Sequence, residues 1–368
     1  MQVQANRQEL LAACQIAGAA APTKDAKPVL RNLKLTARGM MATIAATDLE
    51  IGALVYVPVH VGTEGEALLP AVRLVSILRE CEAKDISLEL GRNDCTVVRG
   101  ESASWELPAD RLDLFPDVVM TTTGERHQVT IDAATLKGML KRVTFAVASI
   151  EHPRFGATTG LLWDCDGGTL TLAATDGRRL AIAKAVCAGS LAGKPVVPMK
   201  AIGLLERSLG EGKVVVTSSS NDVAFEVGTV TIYSRLVEGR FPNYRQVIPQ
   251  NPAHKVEIPC GQLYRAVRQA AIMASEESVG VVCEFSHGKL TLQSNSAGAG
   301  RSKVEVPIEF SGGNVRISFS PKFLTDMLKV HDGEAVVSIM FTDEKLPTAF
   351  LVDESYLYVI ATLAGAGS

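Results

Sequence analysis

Aromatic residues make up only 5% of this sequence, with 2 Trp among them. No stretch approaches the ~18 consecutive apolar residues that a membrane span needs, so a helical membrane protein is excluded and no membrane partner is expected. The first residues, MQVQANRQELLAACQIAGAAAP, lack a basic region before the apolar run and place Arg7 and Glu9 inside it, so no secretory leader is expected. Cysteine is present but never in a CxxC pair. Cys14, Cys81, Cys95, Cys165, Cys187, Cys260 and Cys283 stand far apart, which argues against a zinc or redox motif and for free thiols in a reducing, cytoplasmic setting. Neither sign of charge is in excess: Lys+Arg total 37 and Asp+Glu 40, a formal charge of -3. Bulk positive charge therefore cannot drive nucleic-acid binding, and any such binding must use a locally sorted surface.

Catalytic constellations are missing as well. His60, His127, His152, His254, His287 and His331 form no HxxxH or HExxH pattern, and no GxSxG, Walker loop or GxGxxG occurs. The expectation is a non-enzymatic protein with no metal and no cofactor. What remains is a chain of 368 residues, 47% hydrophobic and 21% charged, long enough for two to three folded domains.

Its organisation is a unit written three times. GMMATIAATD ends at Asp48, GTLTLAATDG puts the matching acid at Asp176, and GKLTLQSNSAG puts Ser296 there, at spacings of 128 and then 120 residues. Asn32, Gly160 and Gly280 open the preceding strand-like runs at the same spacings. Pro70, Pro198 and Pro321 each follow a strand-like run and open a helical pattern, which predicts a proline at the first helical position three times. Earlier helices are predicted around Arg7–Ala19, Asp132–Ala148 and Gly261–Ala274. A repeat of about 120 residues is too long for a solenoid module, so the expected fold is α+β: three tandem similar domains, each with two helices and antiparallel sheets, spanning residues 1–122, 126–250 and 253–368. Asp48 and Asp176 have no second acid at ligand spacing and read as strand terminators.

The six predicted helices are basic although the chain as a whole carries a formal charge of -3. They carry Arg7, Arg73, Arg79, Lys137, Lys141, Arg142, Lys200, Arg207, Arg265, Arg268, Lys322 and Lys329 against few acids, chiefly Glu9, Glu80, Glu206 and Asp326. Lys137 and Lys141 share a helix face, as do Arg265 and Arg268. Solvated basic faces are common singly. Their recurrence in three units suits sequence-blind contact with a phosphate backbone.

At ATDGRRLAIA (Ala174–Ala183) and EGRFPNYRQVIP (Glu238–Pro249) the sequence resembles the bacterial sliding clamp family, the β subunit of DNA polymerase III. ATDLEIG (Ala46–Gly52), Lys27-Pro28-Val29-Leu30 and Tyr358-Val359-Ile360 fit the same pattern in order, so the resemblance covers essentially the whole chain. It implies a DNA-clamp fold closed into a ring as a head-to-tail homodimer. Such a processivity factor encircles duplex DNA without reading its sequence and tethers the polymerase III catalytic subunit, the clamp loader and other clamp-binding-motif proteins. The implied DNA-facing residues are Lys24, Arg73, Lys137, Lys141, Lys200, Arg207, Arg265, Arg268, Lys322 and Lys329, and the implied dimer surface is Ile272 with Met273.

The resemblance also implies a pocket for partner peptides. By motif position it takes Thr175, Gly177, Arg178, Arg179 and Leu180 from the first motif, Pro242, Gln246 and Val247 from the second, and Val359 with Ile360 from the last strand. Arg179 is expected to offer a donor to the peptide, with Arg178 as a second fixed charge. Arg178 stands where the family usually has His, and Gln246 where it usually has Arg. Ala361-Thr362-Leu363-Ala364-Gly365 replaces the usual Met-Pro-Met-Arg-Leu. Competing readings are a clamp-fold paralogue that binds proteins without serving the replicative polymerase, and a hydrolase built on tandem α+β domains.

Overall fold

The computed structural model describes residues 1–22, 27–91, 95–108, 110–118, 127–149, 156–274, 280–296 and 300–363. Lys24, the expected junction between the domains at 1–122 and 126–250, and the tail residues Ala364 and Gly365 lie outside them.

Among the described residues six α-helices form where the apolar spacing predicts them: α1 (Arg7–Gly18), α2 (Ala71–Glu80), α3 (Ala133–Val143), α4 (Met199–Ser208), α5 (Cys260–Ala270) and α6 (Pro321–Leu328). In α1 the Asn6 side chain accepts the N–H groups of Gln8 and Glu9 at 3.0 and 3.2 Å, satisfying two orphan donors of the first turn. Such a cap contributes about 1 kcal/mol. Leu10, Ala13, Cys14 and Ala17 then form the buried stripe of that helix. Burial pushes the Cys14 thiol up to about 12, which keeps it protonated and unreactive. All seven cysteines are free, as their spacing suggests.

Two sequence expectations need correction. The helical pattern at 132–148 ends at Val143 and tightens into a 3-10 turn, Thr144–Ala146, while that at 261–274 ends at Ala270 and tightens into Ala271–Met273. The proline rule holds only for Pro321, which is the first residue of α6. Pro70 and Pro198 are instead the caps of α2 and α4 and still belong to the preceding strands, with ψ of 112 and 144°. Proline fixes φ near -65° but not ψ, so it serves either place.

The chain packs as two compact units, Met1–Lys137 with Cys187–Leu236, and Gly138–Val186 with Val237–Ser368. The middle repeat is divided because its strands continue into sheets of both neighbours. In the first unit a nine-stranded antiparallel sheet runs through Val230–Arg235, which pairs with Ile51–Pro58 (Ile51 opposite Ser234, Ala53 opposite Ile232). A five-stranded sheet of the same unit ends at Ser104–Pro108. In the second unit Arg179–Val186 pairs with Tyr356–Ile360 (Arg179 opposite Ile360, Ala181 opposite Tyr358). A four-stranded sheet there ends at Gly300–Pro307.

One rule generates both seams. The strand that follows the ATD segment of one repeat pairs with the last strand of the next repeat, so each seam extends a sheet through main-chain hydrogen bonds. Applied a third time, the rule leaves two strands without that partner among the described residues. Gly300–Pro307 follows the third copy of the segment, and Ser104–Pro108 is the last strand of the first repeat; each is an outer strand of its sheet. No helix among the described residues is long and apolar enough to cross a membrane, and no group of three His, Cys, Asp or Glu side chains among them could hold a metal ion.

Candidate functional site

The repeated Thr-Asp pair builds a turn. Thr175 Oγ1 donates to the Arg179 carbonyl at 2.7 Å and accepts the Gly177 N–H at 3.1 Å. Asp176 Oδ1 accepts the N–H groups of Arg178 and Arg179 at 2.9 and 3.0 Å. In the first repeat Thr47 Oγ1 donates to the Ile51 carbonyl at 2.8 Å and accepts the Leu49 N–H at 2.9 Å. Asp48 Oδ1 there accepts the N–H groups of Glu50 and Ile51 at 3.0 and 2.7 Å. Both aspartates close strand ends with their own backbone, the behaviour that favours Asp in turns.

Arg179 extends from the second turn and is 7% exposed. Nε donates to Asp176 Oδ2 at 2.9 Å, Nη1 to Asp326 Oδ2 at 2.9 Å and Nη2 to the Phe145 carbonyl at 2.6 Å. Its guanidinium lies over the Phe323 ring, 4.4 Å from the centroid. Three of its five N–H groups bond protein acceptors, so Arg179 anchors the turn as well as lining the cavity beside it. Asp326, on α6, also accepts Lys322 Nζ on Oδ2 at 2.9 Å and Lys329 Nζ on Oδ1 at 2.6 Å. Burial alone would raise this carboxyl, but hydrogen bonds from Lys329, Lys322 and Arg179 outweigh it and hold the group well below the usual carboxylate range.

Beside this turn a cavity of ≈ 380 Å³ is lined by Thr175, Gly177, Arg178, Arg179, Leu180, Pro242, Asn243, Tyr244, Gln246, Val247, Pro347, Val359 and Ala361. The structure thus brings together nine of the ten residues named from the two motifs and the last strand. The tenth, Ile360, is buried at the seam, where it pairs with Arg179 and Thr348. Strand alternation sends Val359 to the cavity and Ile360 to the opposite face. Tyr244, 8% exposed, and Asn243 lie inside the second motif without standing out from it, and Pro347 carries no signal in the sequence. Leu180 is 2% exposed and Val247 48% exposed, so the cavity has an apolar floor and an open apolar lip. Arg178 and Gln246 are exposed polar groups on its rim. This is the usual chemistry of a short-peptide site: apolar walls with few polar anchors.

The basic helix residues divide into two kinds. Arg73, Lys137, Lys141, Arg207 and Arg265 are exposed and make no ion pair among the described residues, and exposed Arg268 stacks on Tyr264. Lys200, by contrast, pairs with Asp48 and reaches the Ala20 carbonyl at 3.4 Å. Lys322 and Lys329 share Asp326. These three lysines are therefore partly neutralised within the fold, a distinction among the basic helix residues that the sequence analysis did not draw. Ile272 is 71% exposed, and Met273 beside it is partly exposed. Their turn is tied to the outer strand Gly300–Pro307 by the Ser302 hydroxyl, which donates to the Ala270 carbonyl at 2.6 Å. Ile272 is therefore not a core residue.

Family models of the DNA polymerase III beta subunit match this chain three times in order: the N-terminal domain over residues 1–121, the central domain over 130–243 and the C-terminal domain over 245–361. The beta sliding clamp of Pseudomonas aeruginosa is 30% identical over 342 residues, 91% of each chain. That of Chlamydia muridarum is 27% identical over 342 residues, 92% of each. The crystal structure of the beta subunit from Thermotoga maritima superposes with a TM-score of 0.91 at 26% identity, covering 99% of this chain and 100% of that one. A Pseudomonas aeruginosa clamp bound to griselimycin gives the same score, identity and coverage. With nearly every described element inside one of the three matched domains, the chain belongs to the DNA polymerase III beta subunit family, the beta sliding clamps.

Proposed function

We propose that this clamp acts as a head-to-tail homodimeric ring, three domains per protomer at 1–122, 126–250 and 253–368, that encircles duplex DNA and tethers DNA polymerase III and its clamp loader without catalysing a reaction. The observation that carries the ring is the seam rule. Two of three possible seams are made within the chain, and the strands for the third, Gly300–Pro307 and Ser104–Pro108, are both outer strands. A second copy supplies the missing partner at each end, and a heterologous contact made twice with a closing rotation gives a ring. Ile272 supports this. It follows α5 as Phe145 follows α3, and Phe145 packs at an internal seam with its ring 5.7 Å from that of Tyr358.

In this reading Arg73, Lys137, Lys141, Arg207, Arg265 and Arg268 face the DNA, with Lys24, Lys200, Lys322 and Lys329 secondary, and phosphate contact alone carries no sequence information. The cavity beside Leu180 takes apolar peptide tails of the polymerase, loader and other partners. The setting is cytoplasmic, where free cysteines persist. Sedimentation together with retention on circular and linear DNA tests the whole: a species near twice 39.1 kDa held by circles and lost from linear ends is expected. A monomer, or equal retention on both, refutes the ring.

A further inference from the structure

Asp326 Oδ2 accepts two cations at the same distance, 2.9 Å: Arg179 Nη1 from the cavity turn and Lys322 Nζ from the same helix. The two differ in how firmly they are held. Arg179 is 7% exposed and fixed by three further contacts, to Asp176, the Phe145 carbonyl and the Phe323 ring. Lys322 is 72% exposed and pairs only through Asp326 among the described residues. A solvent-facing ammonium ion is the member that an external anion can draw away.

We infer that Asp326 is a positioning residue for the cavity's charged edge, and that anion binding at Lys322 tightens the cavity's hold on a peptide. The inference rests on the peptide-docking and DNA-facing readings above. Phosphate at Lys322 removes one of the three cations that share the Asp326 charge, so the carboxylate holds Arg179 more strongly. The Thr175–Leu180 turn, closed by Arg179 through both backbone and side chain, is then held more rigidly, and a preorganised wall binds with less ordering cost. Linkage makes the effect reciprocal: a docked peptide raises the affinity of Lys322 for phosphate by the same factor. A clamp on DNA would thus hold its partners more tightly than a free one.

The test is fluorescence anisotropy of a labelled six-residue polymerase-tail peptide on the full-length protein at low ionic strength, with inorganic tripolyphosphate as the anion. Tripolyphosphate should tighten wild-type binding about two- to threefold, Lys322→Ala should reproduce that gain without anion, and neither should act in an Asp326→Asn background. Asp326→Asn should weaken the peptide about fivefold, with Asp326→Glu restoring part of it. Equal affinity of Asp326→Asn and wild type at unchanged melting temperature, or no gain in Lys322→Ala, overturns the inference. Absence of peptide binding by wild type refutes the docking reading instead. Rotation of the Arg179 guanidinium by nitrogen NMR is then the deciding measurement: unchanged rotation in Asp326→Asn overturns the positioning role.

Discussion

Leu49 and Gly177 occupy the same place in two copies of one turn and share one backbone conformation, with φ of 80 and 82°. Glycine adopts that region freely, whereas a branched residue there is strained. Leu49 is tolerated because Thr47 and Asp48 hold the turn through four hydrogen bonds.

Leu49→Gly should therefore stabilise the protein by about 0.5–1 kcal/mol, the relieved strain exceeding the entropy glycine adds to the unfolded chain. Gly177→Ala should cost about 1–2 kcal/mol. Urea midpoints for the two variants, moving in opposite directions, check the pair.

Much of the architecture was legible because it repeats. Strand-helix junctions at Pro70, Pro198 and Pro321 and the Thr-Asp turns announce themselves by spacing. The cavity was legible only where it is local. Leu180, Pro242 and Val247 sit in motifs, but the Arg179–Asp326 bond joins residues 147 apart and depends on how the middle repeat meets the third. The engagement of Lys322 and Lys329 did leave a trace: Asp326 lies four residues after one and three before the other, the spacing of paired charges on a helix. Pro347 had none.

His331 gives a pH dependence with a definite sign. Burial, and then the charge of Arg142, pull its pKa from 6.5 down to about 4, with Asp353 opposing and Lys141 adding to the lowering. Its ring packs on Tyr356, 4.4 Å between centroids. Between about pH 6.5 and 4 the unfolded state carries the proton and the folded state does not, so stability is full above that window and falls as pH drops through it. The loss should be about 1–3 kcal/mol. His331→Phe, which keeps the ring but removes the titration, should show a shallower decline in urea melts from pH 7 to 4.5. Parallel declines would assign the loss to other groups.

The ring reading predicts that Ile272→Ala with Met273→Ala weakens assembly. Burying the Ile272 side chain at a subunit contact contributes roughly 1.5–3 kcal/mol, so the dimer dissociation constant should rise at least tenfold. Because Ile272 is exposed in the single chain, the monomer's melting temperature should hold. Analytical ultracentrifugation at nanomolar concentration distinguishes the two, and an unchanged dimer places the interface elsewhere.

The DNA-facing reading makes Lys137 and Lys141 the cleanest targets, being exposed on one face of α3 and free of ion pairs among the described residues. Lys137→Glu with Lys141→Glu should shorten residence on DNA circles and reduce the magnitude of the log–log salt slope by about 0.9 for each phosphate no longer neutralised. Lys322→Glu should do less, since the native lysine is already shared with Asp326. Equal effects from both changes would mean that internal pairing does not govern which lysines meet the phosphates.

The peptide-docking reading predicts that the rim and the floor of the cavity separate. Leu180 forms the floor and is almost wholly buried, so Leu180→Ala should weaken the peptide about tenfold or more and also lower folding stability by about 2–3 kcal/mol, which a urea melt of the variant measures separately. Arg178 is exposed at the rim and its side chain makes no ion pair among the described residues, unlike that of Arg179, leaving it to meet an acidic residue flanking the apolar anchor. Removing it should cost acidic peptides about 0.5–1 kcal/mol and neutral ones nothing, with the difference fading as salt is raised. Titrating matched acidic and neutral peptides against wild type, Leu180→Ala and Arg178→Ala decides the matter. A loss for both peptides in Arg178→Ala would make that arginine part of the wall, and full binding by Leu180→Ala would move the peptide out of this cavity.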